Sequence, residues 1–167
     1  MRRQAFTGLL AAAILSSTIA LADMAVQLLP PWDGKTVPPG QQCTEFGGNG
    51  GTPPMKVTGI PAGAKWLIGY FNDKDYSPLS KNGGHGTIGW PVKGTTMELK
   101  PVPGMTDKLP GGAVVIKPTR AKGKFISPGY LPPCSGGRKN RYAVDLVAVD
   151  SAGKALAQVK NVMIGRY

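Results

Sequence analysis

The side chains best suited to chemistry fall into three short runs of the sequence. Asn72-Asp73-Lys74-Asp75-Tyr76-Ser77-Pro78 carries two carboxylates two residues apart. In extended backbone, Asp73 and Asp75 would face the same way, where they can hold a cation, orient a histidine or share acid/base work. The same residues also suit a solvated turn. Asn82-Gly83-Gly84-His85-Gly86 holds the chain's one histidine, and its flanking glycines permit close backbone approach by a ligand. The third run, Arg138-Lys139-Asn140-Arg141, follows Pro132-Pro133. Arg141 abuts a strongly apolar segment, where a guanidinium can fix a carboxylate or bind an oxyanion bidentately. Lys117, Arg120, Lys122 and Lys124 lie upstream, and all of these cations also suit a solubilising face. A single histidine gives no metal pair, and no Gly-x-Ser-x-Gly elbow accompanies it. Hydrolysis of a phosphoester by Asp73, Asp75 and His85 therefore ranks third among the functional readings.

The elements that must position these residues are strands. Twenty-four glycines and 16 prolines punctuate short apolar runs, a pattern of all-β structure with ordered turns and little helix. The spacing predicts strands over residues 65–71, 87–92, 95–100, 113–117, 142–149 and 157–164. The run Tyr142-Ala143-Val144-Asp145-Leu146-Val147-Ala148-Val149 is almost continuously apolar, as expected of a central strand covered on both faces. Asp145 interrupts it, either at an edge or hydrogen-bonded inside. Asp150-Ser151-Ala152-Gly153-Lys154 reads as the turn of a closing hairpin. Ala155-Leu156-Ala157 gives the returning strand a weaker helical alternative. The Pro/Gly-rich stretches 30–40 and 46–54 read as surface loops.

The first 22 residues read as a signal peptide. Arg2 and Arg3 form a basic start, an apolar run follows, and Ala20-Leu21-Ala22 fits a cleavage site after Ala22. The apolar run is too short for a membrane span. Residues 23–167 then form one domain in the periplasm or outside the cell. The whole chain has 20 basic and 9 acidic residues. Without Arg2 and Arg3 the balance is +9, which favours anionic partners: small anions, lipid headgroups at a membrane surface, or an acidic protein. Nucleic acid is disfavoured, because export removes the chain from it and no aromatic-interleaved basic stripe is present. Cys43 and Cys134, alone in an exported chain, predict a structural disulfide rather than a metal site.

In order, these segments resemble the phosphatidylethanolamine-binding protein family, in its bacterial Raf-kinase-inhibitor-like branch. The resemblance runs from Asn49-Gly50-Gly51-Thr52-Pro53-Pro54 through Ile60-Pro61-Ala62-Gly63-Ala64-Lys65 and Asp73-Lys74-Asp75 to His85. It resumes at Gly129-Tyr130-Leu131-Pro132-Pro133, Asn140-Arg141-Tyr142 and Gly165-Arg166-Tyr167. It implies a two-sheet β-sandwich with an anion pocket at one end that binds phosphate or phospholipid headgroups, and the reading adopted is binding without turnover or cofactor. Carried over by position, Asp73, Asp75, His85 and Arg141 would converge, with Tyr130 and Pro132 at the rim. A cationic His85 would donate to the oxyanion, oriented by Asp73 or Asp75. Arg141 would be the alternative donor or the brace of the acidic loop. The family's proline between the two acids is Lys74 here, and the histidine of its second motif is Asn140. Trp90 is displaced relative to His85. The runner-up reading is an exported interaction or inhibitor module that docks through its basic face.

Overall fold

A computed structural model describes residues 23–167; segment 1–22, expected from sequence to be a signal peptide, lies outside them. Eight strands form two antiparallel sheets. The smaller has the order β1-β2-β5, with β1 Ala25–Leu28, β2 Met55–Thr58 and β5 Met97–Leu99. The larger has the order β6-β4-β3-β7-β8. It comprises β3 Trp66–Asp73, β4 Thr87–Pro91, β6 Val114–Lys117, β7 Arg141–Val149 and β8 Ala155–Arg166. Helical structure among the described residues is confined to three 3-10 turns, Thr44–Phe46, Ser77–Leu79 and Gly123–Phe125. The chain is therefore an all-β, two-sheet protein, as its turn-punctuated sequence predicts. No helix among the described residues is long and apolar enough to cross a membrane.

Alternation dictates the core. On β3, Leu67, Gly69, Phe71 and Asp73 share one face, and on β7 Tyr142, Val144, Leu146 and Ala148 do. All eight are buried. Leu67, Phe71, Tyr142, Val144, Leu146 and Ala148 meet Met55 and Val57 of β2 and Leu99 of β5 from the smaller sheet in one hydrophobic cluster. Each fully buried Leu, Val, Met or Phe contributes about 1.5–3 kcal/mol relative to exposure. The other face of β7 is only half covered, since Asp145 and Val147 keep partial exposure. Asp145 resolves its alternatives by hydrogen bonding. It stands opposite a register shift of β8 and accepts from the Asn161 amide at 2.7 Å, with Asn72 Nδ2 at 3.4 Å.

The terminal hairpin forms as predicted. Asp150 Oδ1 accepts from the amides of Ala152 and Lys154, both at 2.9 Å. Segment 155–166 is strand throughout, because its backbone pairs along β7, whereas a helix this short is marginal on its own. Strands β1 and β2 were not expected from sequence. The supposed surface loops flanking them are also partly interior. Trp32 and Val37 join the core at 4% and 5% exposure, and Thr52 exchanges backbone and side-chain bonds with Val102. Their proline content excludes regular pairing, not burial.

Candidate functional site

Face alternation also brings a carboxylate to the end of the core. Beyond Phe71 the inward face of β3 runs out at Asp73, which is 4% exposed. The chain then turns: Asp73 Oδ1 accepts from the Asp75 amide at 3.0 Å. This turn separates the two acids, contrary to the expectation from extended backbone. Asp73 points inward, where Asn140 Nδ2 donates to Oδ2 at 2.8 Å. Asp75 is exposed and engages Arg141, whose Nε lies 3.0 and 3.1 Å from its two oxygens and whose amide donates to Oδ2 at 2.7 Å. The guanidinium holds the Asp75 carboxyl down to about 2, mainly through the side-chain hydrogen bonds. Arg141 is therefore the brace of the acidic loop rather than an anion donor. Lys74 takes part as well: its amide donates to the Arg141 carbonyl at 2.8 Å, a bond that proline could not make.

Asn72, buried at 2% exposure, sets the next loop in place. Its Oδ1 accepts from the amides of Gly83 and Gly84 at 3.0 and 3.3 Å. The glycines around His85 make room for the protein's own backbone, not for a ligand. A Cβ on Gly84 would stand 2.2 Å from the Leu79 carbonyl oxygen, and one on Gly86 would stand 2.8 Å from that of Gly129. So held, His85 is buried and its ring meets Tyr142 edge-on at 5.3 Å. Its Nδ1 is 2.8 Å from the Leu131 carbonyl oxygen. A carbonyl can only accept, so Nδ1 carries the hydrogen, and in the neutral ring Nε2 keeps a lone pair. Burial pushes the imidazole's pKa down, against the opposing pull of Leu131 and Asp73. Burial thus favours the neutral ring over the cationic donor expected from sequence.

Asp73, His85 and Asn140 line a cavity of about 810 Å³ at this end of the larger sheet. Phe46, Tyr76 and Phe125 supply apolar walls, and Phe46 and Phe125 stand 6.4 Å apart. Four cations surround it: Arg120, Lys122, Lys124 and Arg138. They are not equivalent. Arg120 clamps the preceding turn, donating to the carbonyls of Asn82, Pro78 and Lys81 at 3.0, 3.2 and 2.8 Å. Lys124 pairs with Glu45. Lys122 and Arg138 have no side-chain hydrogen bond or ion pair among the described residues, so both remain available to a ligand.

Of the residues expected at the site, Asp73 and His85 line the cavity, while Asp75 and Arg141 form a clasp outside its lining. Tyr130 and Pro132 are not at the rim. Tyr130 packs on Phe71 at 4.7 Å inside the core, and burial raises its phenol pKa. Pro132 wedges against Gly50 and Gly104, while Leu131 between them faces the cavity. Both proline and tyrosine were drawn from a motif whose alternate residues point opposite ways. The predicted disulfide is present. Cys43 and Cys134 are joined with their Cα atoms 5.3 Å apart, which fastens the Thr44–Phe46 turn to the cavity wall at Ser135. Phe46, Tyr76, Phe125 and Asn72 gave no chemical signal in sequence, and only the density of cations over residues 117–124 pointed toward this mouth. No group of three or more metal-ligating side chains occurs among the described residues. Neither protein-family models nor curated proteins give a match to this chain.

Proposed function

We propose that this chain is an exported, non-catalytic binding protein for a small anion such as a phosphate ester or a phospholipid headgroup. The observation that carries this reading is the basic mouth. Lys122 and Arg138, unpaired, stand at one concave cavity large enough for a headgroup-sized molecule. A cleft lined by unpaired cations focuses potential on anions and pairs with them at short range. The phosphatidylethanolamine-binding resemblance points to the same end of the same sheet. Two of the departures from its pattern have local roles here: Lys74 supplies a backbone bond and Asn140 donates to Asp73. Export agrees with the Cys43–Cys134 bridge, since disulfides persist in oxidising compartments. Binding is preferred to turnover because only one of the two carboxylates lines the cavity, the other being spent on Arg141.

Titration calorimetry with inorganic phosphate and with methyl phosphate tests the reading. Saturable heat that is lost in the Lys122→Ala/Arg138→Ala double variant supports it. Absence of heat from wild-type protein, or heat unchanged in that variant, sinks it. A second reading, contact with an anionic membrane surface, is favoured by apolar groups beside the same cations. Tyr76 and Ile126 are 52% and 64% exposed. Flotation with anionic vesicles that disappears in high salt is its expected signature.

A further inference from the structure

The cavity is split in polarity. Its mouth offers cations, whereas its depth offers mainly acceptors. The Asp73 carboxylate has about four lone-pair sites. The Asp75 amide and Asn140 Nδ2 take one each, leaving acceptor capacity on a carboxylate that lines the cavity. His85 adds Nε2, because Nδ1–H is committed to Leu131. Ser135 spends its hydroxyl hydrogen on the Tyr167 carbonyl. Against these stands one remaining N–H of Asn140. The Tyr142 hydroxyl accepts from the Cys134 amide at 3.1 Å and has Asp73 and Ser135 beside it for its own hydrogen. A fully ionised oxygen pushed onto Asp73 would meet a like charge away from bulk water, where repulsion is stronger.

Resting on the anion-binding reading above, we propose that the ligand's innermost group is a hydrogen-bond donor. The site then takes anions that bring their own O–H or N–H to Asp73 and His85, and rejects equally charged anions that lack one. For a phosphate monoester the bound form is the monoanion. Its hydroxyl donates to the floor, while its ionised oxygens face Lys122 and Arg138. No covalent step is involved. The charged or titratable groups around His85 are Asp73 from β3, Tyr142 from β7 and the cations of the mouth.

Two ligands of equal charge separate this from simple charge attraction. Below its second pKa of about 6, a phosphate monoester carries one negative charge and one hydroxyl. Dimethyl phosphate carries the same charge and no hydroxyl. At about pH 5.5, methyl phosphate is expected to bind at least about tenfold more tightly than dimethyl phosphate, the cost of leaving a buried acceptor unpaired. From about pH 6 to 8, methyl phosphate should weaken as it loses its proton. Attraction to the cationic mouth alone requires the dianion to bind more tightly. A cationic His85 donor would instead make the diester bind well at low pH. Equal affinity for the two esters, or tightening of the monoester as pH rises, overturns the inference while leaving anion binding intact. If neither ester binds, both readings fall together. Asp73→Asn, which exchanges an acceptor for an amide able to donate, should bring the diester within about threefold of the monoester. The wild-type comparison decides the matter even if that variant does not fold.

Discussion

Replacing both cysteines, Cys43→Ala with Cys134→Ala, should lower the stability of the fold substantially. The bridge joins residues 91 apart in sequence, one in the loop before Thr44–Phe46 and one in the segment that leads into β7. Closing a loop of about that length removes unfolded-chain entropy worth about 4.6 kcal/mol on the chain-entropy relation, and measured bridges commonly give about 2–4. Native contacts on either side survive without the bond. The Cys43 amide donates to the Pro133 carbonyl at 3.0 Å, and the Cys134 amide to the Tyr142 hydroxyl at 3.1 Å. The loss should therefore fall on the unfolded state more than on the fold. For a chain of this size each kcal/mol moves the midpoint by roughly 2–4 °C, so a drop of roughly 10 °C is expected. Thermal unfolding of residues 23–167, oxidised wild type against the double variant, measures it. Wild type with its disulfide reduced should fall with the variant. A drop below about 3 °C would show that the unfolded chain gains little freedom from opening this loop, and the entropic argument would be refuted.

Three further outcomes are expected. Asn72→Ala leaves the amides of Gly83 and Gly84 without their acceptor inside the protein, and should cost about 1–3 kcal/mol in urea unfolding; a cost under about 0.5 would remove Asn72 as the support of the His85 loop. His85 takes up its proton less readily folded than unfolded, so its contribution to stability is complete above 6.5 and declines as pH falls below it. His85→Asn keeps a donor for Leu131 and should flatten that decline between about pH 7 and 5, whereas an unchanged pH profile would show that His85 is not its source. Arg141→Ala should release the Asp75 carboxyl from about 2 toward 3.8 in an NMR titration. Because the pair's benefit is present above 3.8 and lost as pH falls toward 2, the variant should be slightly less stable than wild type near neutrality, by little because an exposed pair is screened, and the difference should vanish as pH falls toward 2.

Much of the larger sheet was legible because its strands carry their own pattern. Alternation on β3 and the apolar run of β7 identify both strands and their inward faces. The smaller sheet was not, since Ala25–Leu28 and Met55–Thr58 are four residues each between proline-rich segments. The site divides along the same line. Asp73 and His85 stand out by residue type, and both line the cavity. Asp75 was misplaced because a two-residue spacing means one face only while the chain stays extended, and here it turns at Asp73. Tyr130 and Pro132 failed for a related reason: a motif fixes identity, whereas the direction of each side chain depends on the twist of a loop. Arg120 and Lys122 are equally basic in sequence. Only folding decides that the first spends its charge on three carbonyls and the second keeps it free.

The shifts of register between β7 and β8 bear on how copies of this chain behave when crowded together. β8 is the longest strand, twelve residues, and it forms one border of the larger sheet. A flat border of that length would be a template on which another chain could add itself, strand upon strand. Three irregularities interrupt it, one of them at Asn161 with its positive φ of 54°. Lys154 and Lys160 add charge along the same stretch. Each irregularity kinks and twists the border, so that no long run of free amides and carbonyls lies in one line. The carboxylate of Asp145, by holding the Asn161 amide, fixes one of these kinks in the border strand.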